Sequence, residues 1–181
     1  MTESTTNREA MDLFSERISL ARAVGQKLKA AGWLLAAAES CTGGGVAAVL
    51  TEIPGSSEWF AGGLVTYSND WKKRLLGVRE ETLASHGAVS QETVAEMLTG
   101  LLKKHKVQAA LAVSGIAGPG GAVPGKPVGT VFMGVACKGK THIQCCLFPG
   151  NRVAVREQSV GMTLRMLLQL LEEKEKNIDS L

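Results

Sequence analysis

Ser40 stands in the run Ala38-Glu39-Ser40-Cys41-Thr42-Gly43-Gly44, directly after one apolar stretch and directly before another. A serine at such a strand-to-helix turn has a chemistry open to it. The amides of Thr42 and Gly43 point towards any group lying over the helix start, where they can receive the charge that develops when a hydroxyl attacks a carbonyl. The plainer role is that Ser40 caps the helix beginning near residue 43, and the residues alone leave both roles open. A nucleophilic serine needs a base. His86, His105 and His142 fall in two helix ends and a strand, far in sequence from the small-residue turns. Lys72, a short way beyond Tyr67, is the better candidate, because burial and the adjacent Lys73 and Arg74 would disfavour its charged form. As a solvated surface lysine it would do nothing.

Arg152 and Arg156 are four residues apart at the start of the last helix and share one face, just after Phe148-Pro149-Gly150. Positive charge opposes the dipole there, so the placement calls either for a phosphate or for a local carboxylate partner. The run Ser114-Gly115-Ile116-Ala117-Gly118-Pro119-Gly120-Gly121 is too rich in glycine for anything but a loop. It is not the dinucleotide fingerprint, because Val123 stands where the third glycine belongs. Nor is it the phosphate loop of nucleotide hydrolases, because Pro127 follows Lys126 where a hydroxyl should bind magnesium. An amide-rich loop able to cradle an anion and a plain surface turn are the two readings left.

The elements that must position these groups follow from periodicity. Phe14, Ile18, Ala21, Val24 and Leu28 mark a helix ending near Gly32. Strands are expected over 33–38, 62–67 and 109–113, each followed by one of the small-residue turns at Ser40, Tyr67 and Ser114. Helices are expected over 43–50, after Ser68 as far as Gly77, over 90–105 and over 151–173, with a hairpin of strands 130–137 and 141–148 turning at Gly139. The expected fold is a single-domain α/β sandwich, a mixed sheet covered by helices, with the tails 1–10 and 174–181 frayed. Ligands of open α/β sheets collect beyond the carboxyl ends of strands, which is where all three turns fall.

The 181 residues are 45% apolar and 20% charged, ordinary for a soluble domain, and the net charge of +3 is scattered rather than gathered into a basic stripe. No nucleic-acid partner is expected. The four cysteines form no CxxC pair, so free thiols and no metal are expected. There is no signal peptide and no run of the ~18 apolar residues that cross a bilayer, so the reading is a cytoplasmic chain without a membrane partner.

Taken in order, Ala38-Glu39-Ser40-Cys41-Thr42-Gly43-Gly44, Gly55-Ser56-Ser57, Val65-Thr66-Tyr67-Ser68-Asn69, His86-Gly87-Ala88-Val89-Ser90, Ser114-Gly115-Ile116-Ala117-Gly118-Pro119, Lys126-Pro127-Val128-Gly129-Thr130-Val131 and Phe148-Pro149-Gly150-Asn151-Arg152 resemble the CinA carboxy-terminal domain family of nicotinamide-nucleotide amidases. The resemblance implies hydrolysis of nicotinamide mononucleotide to nicotinate mononucleotide and ammonia, without a cofactor or metal, by a homo-oligomer that binds a small nucleotide. It implies the stand-alone form, without the amino-terminal domain of longer members. It places Ser40, Ser57, Tyr67 and Lys72 at the catalytic positions; the mechanism expected here has neutral Lys72 take the proton from Ser40, with Ser57 or Tyr67 relaying or orienting it. Ser114 and Arg152 are placed facing the nucleotide, and Thr42, Gly43, Gly115, Gly118 and Arg156 complete the expected binding set. The rival readings are a nucleotide-binding or regulatory module without catalysis, and a cysteine hydrolase using Cys41.

Overall fold

The computed structural model describes residues 3–173, so the tail expected over 174–181 and residues 1–2 lie outside the described residues. From Glu3 the backbone already belongs to α1 (Glu3–Ala31). That helix buries Ala21, Val24 and Leu28 completely and stops at Gly32, whose φ of 64° only a glycine adopts freely.

Five strands follow: β1 (Leu35–Glu39), β2 (Phe60–Val65), β3 (Ala109–Gly115), β4 (Thr130–Cys137) and β5 (Lys140–Leu147), in the spatial order β2-β1-β3-β4-β5. Both partners of β1 run parallel to it, while β3–β4 and β4–β5 are antiparallel. This is the mixed α/β sheet expected. β1 is buried along its whole length, which matches its unbroken apolar run: a central parallel strand has both faces covered. Alternation divides the strands between two layers. Leu35, Ala37, Leu111, Val113, Met133 and Val135 pack with α1, α2 (Gly45–Thr51) and α6 (Arg152–Glu172). Ala36, Ala38, Ala110, Ala112 and Ala136 face α5 (Gln91–His105) on the other side. The residues of this second face are small because α5 comes close. A Cβ on Gly134 would lie 2.6 Å from Val94 Cγ1 and 2.8 Å from Leu98 Cδ1.

Local signals account for the helix ends. Ser90 Oγ accepts from Thr93 N at 3.2 Å to start α5, and Asn151 Oδ1 accepts from Ala154 N at 3.0 Å to start α6. The hairpin between β4 and β5 turns on Lys138 and Gly139, with φ of 43° and 83°. Other elements depart from expectation. β2 ends at Val65, which leaves Thr66 and Tyr67 in the loop, and α2 begins at Gly45 rather than near 43. The helix after Ser68 is only α3 (Asn69–Trp71), capped by Ser68 Oγ on Trp71 N at 3.1 Å, and it widens into a π-type turn over Lys72–Leu76 before Gly77 closes it. The helix end expected at His86 closes a short helix, α4 (Glu80–His86), whose start was not assigned.

Candidate active site

The helix after β1 packs on one face of the sheet and the helix before β3 on the other, so the chain reverses its winding between β1 and β3. Such a switch point opens a crevice at the carboxyl ends of the strands. Ser40 sits there. Its N–H donates to Val113 O at 2.9 Å, and the Thr66 N–H donates to Glu39 O at 2.8 Å, so the backbone around Ser40 is held by both neighbouring strands.

Lys72 comes to this point from the π-type turn, and its side chain is 1% exposed. Nζ lies 3.1 Å from Ser40 Oγ, 2.8 Å from Thr66 O and 3.4 Å from Tyr67 O. A wide turn at a functional group is a recurring use of π geometry, and here it puts Lys72 inside with Leu76 while Lys73 pairs with Glu80 at the surface. Burial pulls the Lys72 ammonium down to about 8, against a smaller opposing influence of Cys41. Burial also pushes the Cys41 thiol up to about 11, and the Glu39 carboxylate adds to the rise.

The N-terminal amides of α2 are not free. Glu39 is fully buried, and its carboxylate accepts from Gly44 N and Val46 N at 3.0 Å each and from Ala47 N at 2.9 Å. Glu39 therefore takes the capping role open to Ser40 in the sequence, and the Ser40 hydroxyl is left to Lys72. Nothing in the reading of the motif singled out Glu39. The signal was there: a carboxylate ending an apolar strand, within reach of the amides that a following helix leaves unpaired. The Gly43 N–H is likewise engaged, donating to Ser40 O at 3.1 Å, so of the expected amide pair the Thr42 N–H remains.

The arginines reach over the same crevice from α6. Arg152 donates from Nη1 to Gly118 O and from Nη2 to Tyr67 Oη, both at 2.9 Å. Arg156 Nη2 donates to Thr42 O at 2.8 Å. Neither contact is to a carboxylate. Tyr67 is 59% exposed and its hydroxyl is bonded to Arg152, not to Lys72 or Ser40.

Three expected site residues are placed otherwise. Ser57 lies in a single 3-10 turn before β2, and Leu35 at the start of β1 donates to Trp59 O there. Ser57 is thus at the opposite end of β1 from Ser40, roughly 16 Å away along the strand. Parallel pairing forces the separation, because the residue before β2 neighbours the start of β1. Ser114 is buried, and its hydroxyl donates to Ala88 O at 2.6 Å, fastening the segment before α5. Lys126 fastens the same segment through His86 O at 2.9 Å and Val89 O at 2.7 Å, which gives two of the quoted motifs a structural use. Gly115 permits close strand contact, since a Cβ there would lie 2.7 Å from Val131 Cγ2 and 2.9 Å from Thr130 O. Among the described residues no three His, Cys, Asp or Glu side chains gather as a metal site, and no helix is long and apolar enough to cross a membrane.

The sequence profile of the CinA C-terminal domain matches residues 17–171. The nicotinamide-nucleotide amidohydrolase PncC of Escherichia coli is 51% identical over 158 residues, covering 86% of this chain and 94% of that protein. A CinA-like protein of Thermotoga maritima is 48% identical over 143 residues, covering 78% of this chain and 35% of its own longer one. Among solved structures, a CinA superfamily protein from Klebsiella pneumoniae superposes with a TM-score of 0.83 at 39% identity, covering 87% of this chain and 98% of that one. A competence/damage inducible protein from Agrobacterium tumefaciens gives 0.83 at 41% identity, covering 86% and 95%.

Proposed function

The chain belongs to the CinA C-terminal domain family, and from that premise we propose that it hydrolyses the carboxamide of nicotinamide mononucleotide to nicotinate mononucleotide and ammonia, with Ser40 as nucleophile and Lys72 as its base. The observation that carries this reading is the set of neighbours around Lys72 Nζ. Thr66 O and Tyr67 O are carbonyl oxygens and can only accept, so they orient two N–H bonds of a neutral amine. Its lone pair then faces Ser40 Oγ, 3.1 Å away, in position to take the hydroxyl proton. A value near 8 makes a useful fraction of the amine neutral at physiological pH.

As Ser40 Oγ forms a bond to the carboxamide carbon, its proton passes to Lys72. The tetrahedral intermediate collapses when Lys72 returns that proton to the nitrogen, which leaves as ammonia. Water then cleaves the seryl ester with Lys72 again as base, releasing the acid and restoring the hydroxyl. The Thr42 N–H faces the developing oxyanion, and Arg152 and Arg156 take the nucleotide's phosphate. Ser40 is favoured over Cys41, whose thiol stays protonated far above neutrality, and over Ser57, which is remote from Lys72.

The test is ammonia release from nicotinamide mononucleotide. Ser40→Ala and Lys72→Ala should each lower kcat by about a thousandfold or more, and the double variant should cost little beyond either, because the two act as one unit. Wild-type kcat/KM should rise with pH to a plateau above about 8, as Lys72 loses its proton. Binding of the nucleotide without ammonia release would give the case to a binding module, and a Ser40→Ala enzyme keeping more than about a tenth of the turnover would remove Ser40 from the role.

A further inference from the structure

We propose that Glu39 is a positioning residue for Ser40, a buried brace whose carboxylate sets where the hydroxyl stands against Lys72; the proposal rests on the Ser40–Lys72 reading above. On the sheet side, Ser40 is held by its own N–H on Val113 O and by the Thr66–Glu39 backbone bond. On the helix side the chain passes through Gly43 and Gly44, with φ of 59° and 94°, a pair of glycines with little conformational preference of their own. The Glu39 side chain spans that weak point. It leaves the last residue of β1 and takes the N–H groups of Gly44, Val46 and Ala47, which closes the turn from strand to helix into a ring around Ser40.

Helix capping alone does not require this arrangement. A serine or aspartate at an extended N-cap position would accept locally from Val46 N or Ala47 N, but that position is Gly44, with φ of 94° and no side-chain cap, and the Gly44 N–H itself needs an acceptor from elsewhere. Reaching from the strand instead couples the register of β1 to the start of α2, the two elements between which Ser40 is suspended. Burying a carboxylate is costly unless it is fully hydrogen-bonded, and three N–H donors meet that requirement. The same bonds close the helix start to the substrate, so the nucleotide's anionic end is directed to Arg152 and Arg156.

Glu39→Gln keeps the shape but turns an NH2 group against backbone N–H donors, and Glu39→Ala removes the brace. With nicotinamide mononucleotide as substrate, Glu39→Gln should lose about tenfold to a hundredfold in kcat with KM within about threefold, because sub-ångström displacement of a nucleophile acts on turnover. Glu39→Ala should lose at least as much, and added formate should restore its kcat several-fold where formamide and chloride at equal concentration do not. Retention of kcat within about twofold in Glu39→Gln, a loss confined to KM, or absence of formate rescue in folded Glu39→Ala would each overturn the proposal. If Glu39→Ala does not fold, Glu39→Gln decides alone; if neither folds, Glu39 belongs to the scaffold and the proposal fails. Ser40→Ala and Lys72→Ala run in the same assay separate the two readings. Activity surviving in those variants removes the nucleophile assignment, whereas their inactivity beside an unimpaired Glu39→Gln removes the brace only.

Discussion

Arg152 joins three elements with one side chain, because its guanidinium ties the Gly118 carbonyl to the Tyr67 hydroxyl across the mouth of the crevice. Guanidinium carries five N–H donors, so these two bonds leave three for a phosphate approaching from solvent. Such a clamp acts on substrate and transition state alike. Arg152→Ala should therefore raise KM for nicotinamide mononucleotide by roughly tenfold to a hundredfold and leave kcat within about threefold, the loss of a charge-assisted contact being about 1.5–3 kcal/mol. Steady-state kinetics decide the matter, and a collapse of kcat at unchanged KM would put Arg152 in the chemistry. Tyr67 has its hydroxyl committed to Arg152, so its place in this scheme is to orient that arginine rather than to relay a proton to Ser40.

At the scale of elements, the position of Lys72 depends on how closely the π-type turn approaches α5. A Cβ on Gly100, in the middle of α5, would lie 2.0 Å from Leu76 O, an impossible contact with backbone on both sides. Glycine is unfavourable within a helix by about 1 kcal/mol relative to alanine, so its presence here reflects the contact rather than the helix. Gly100→Ala should push the turn carrying Lys72 outward, lowering stability by about 1–3 kcal/mol and reducing kcat as the Lys72–Ser40 distance grows. Gly120→Ala makes the control, since nothing lies within 4 Å of that Cβ and neither measure should change appreciably. Denaturant unfolding and the ammonia assay on both variants check this. A Gly100→Ala enzyme as stable and as fast as wild type would show that the turn is not held by that contact.

For the whole molecule, a buried lysine ties stability to pH. The Lys72 value of about 8 in the folded chain lies below its ordinary 10.5, so between those limits the unfolded chain binds more protons than the folded one. Stability therefore rises with pH across that window; below about 8 the full cost of an interior ammonium is present, and above 10.5 it is gone. The stability of wild type relative to Lys72→Met should climb by ~3 kcal/mol at most from pH 8 to 10.5, measured by urea unfolding, and a flat difference would mean that Lys72 does not titrate at the lowered value. How much of this molecule could be read without coordinates depended on the range of the interactions. The stripe Ala21-Val24-Leu28, the apolar run of β1, the hairpin turn at Gly139 and the helix starts at Ser68, Ser90 and Asn151 follow from neighbours a few residues apart, and each was legible. So was the placement of Ser40 at a strand-to-helix turn. The sequence motifs also nominated Lys72, but its contact with Ser40 joins residues 32 apart, and the Arg152–Tyr67 bond joins residues 85 apart. Those meetings, the exclusion of Ser57 to the far end of β1 and the capture of the α2 amides by Glu39 were decided only by the tertiary structure. Strand order and crossover side bring distant residues together, and neither is encoded in local spacing.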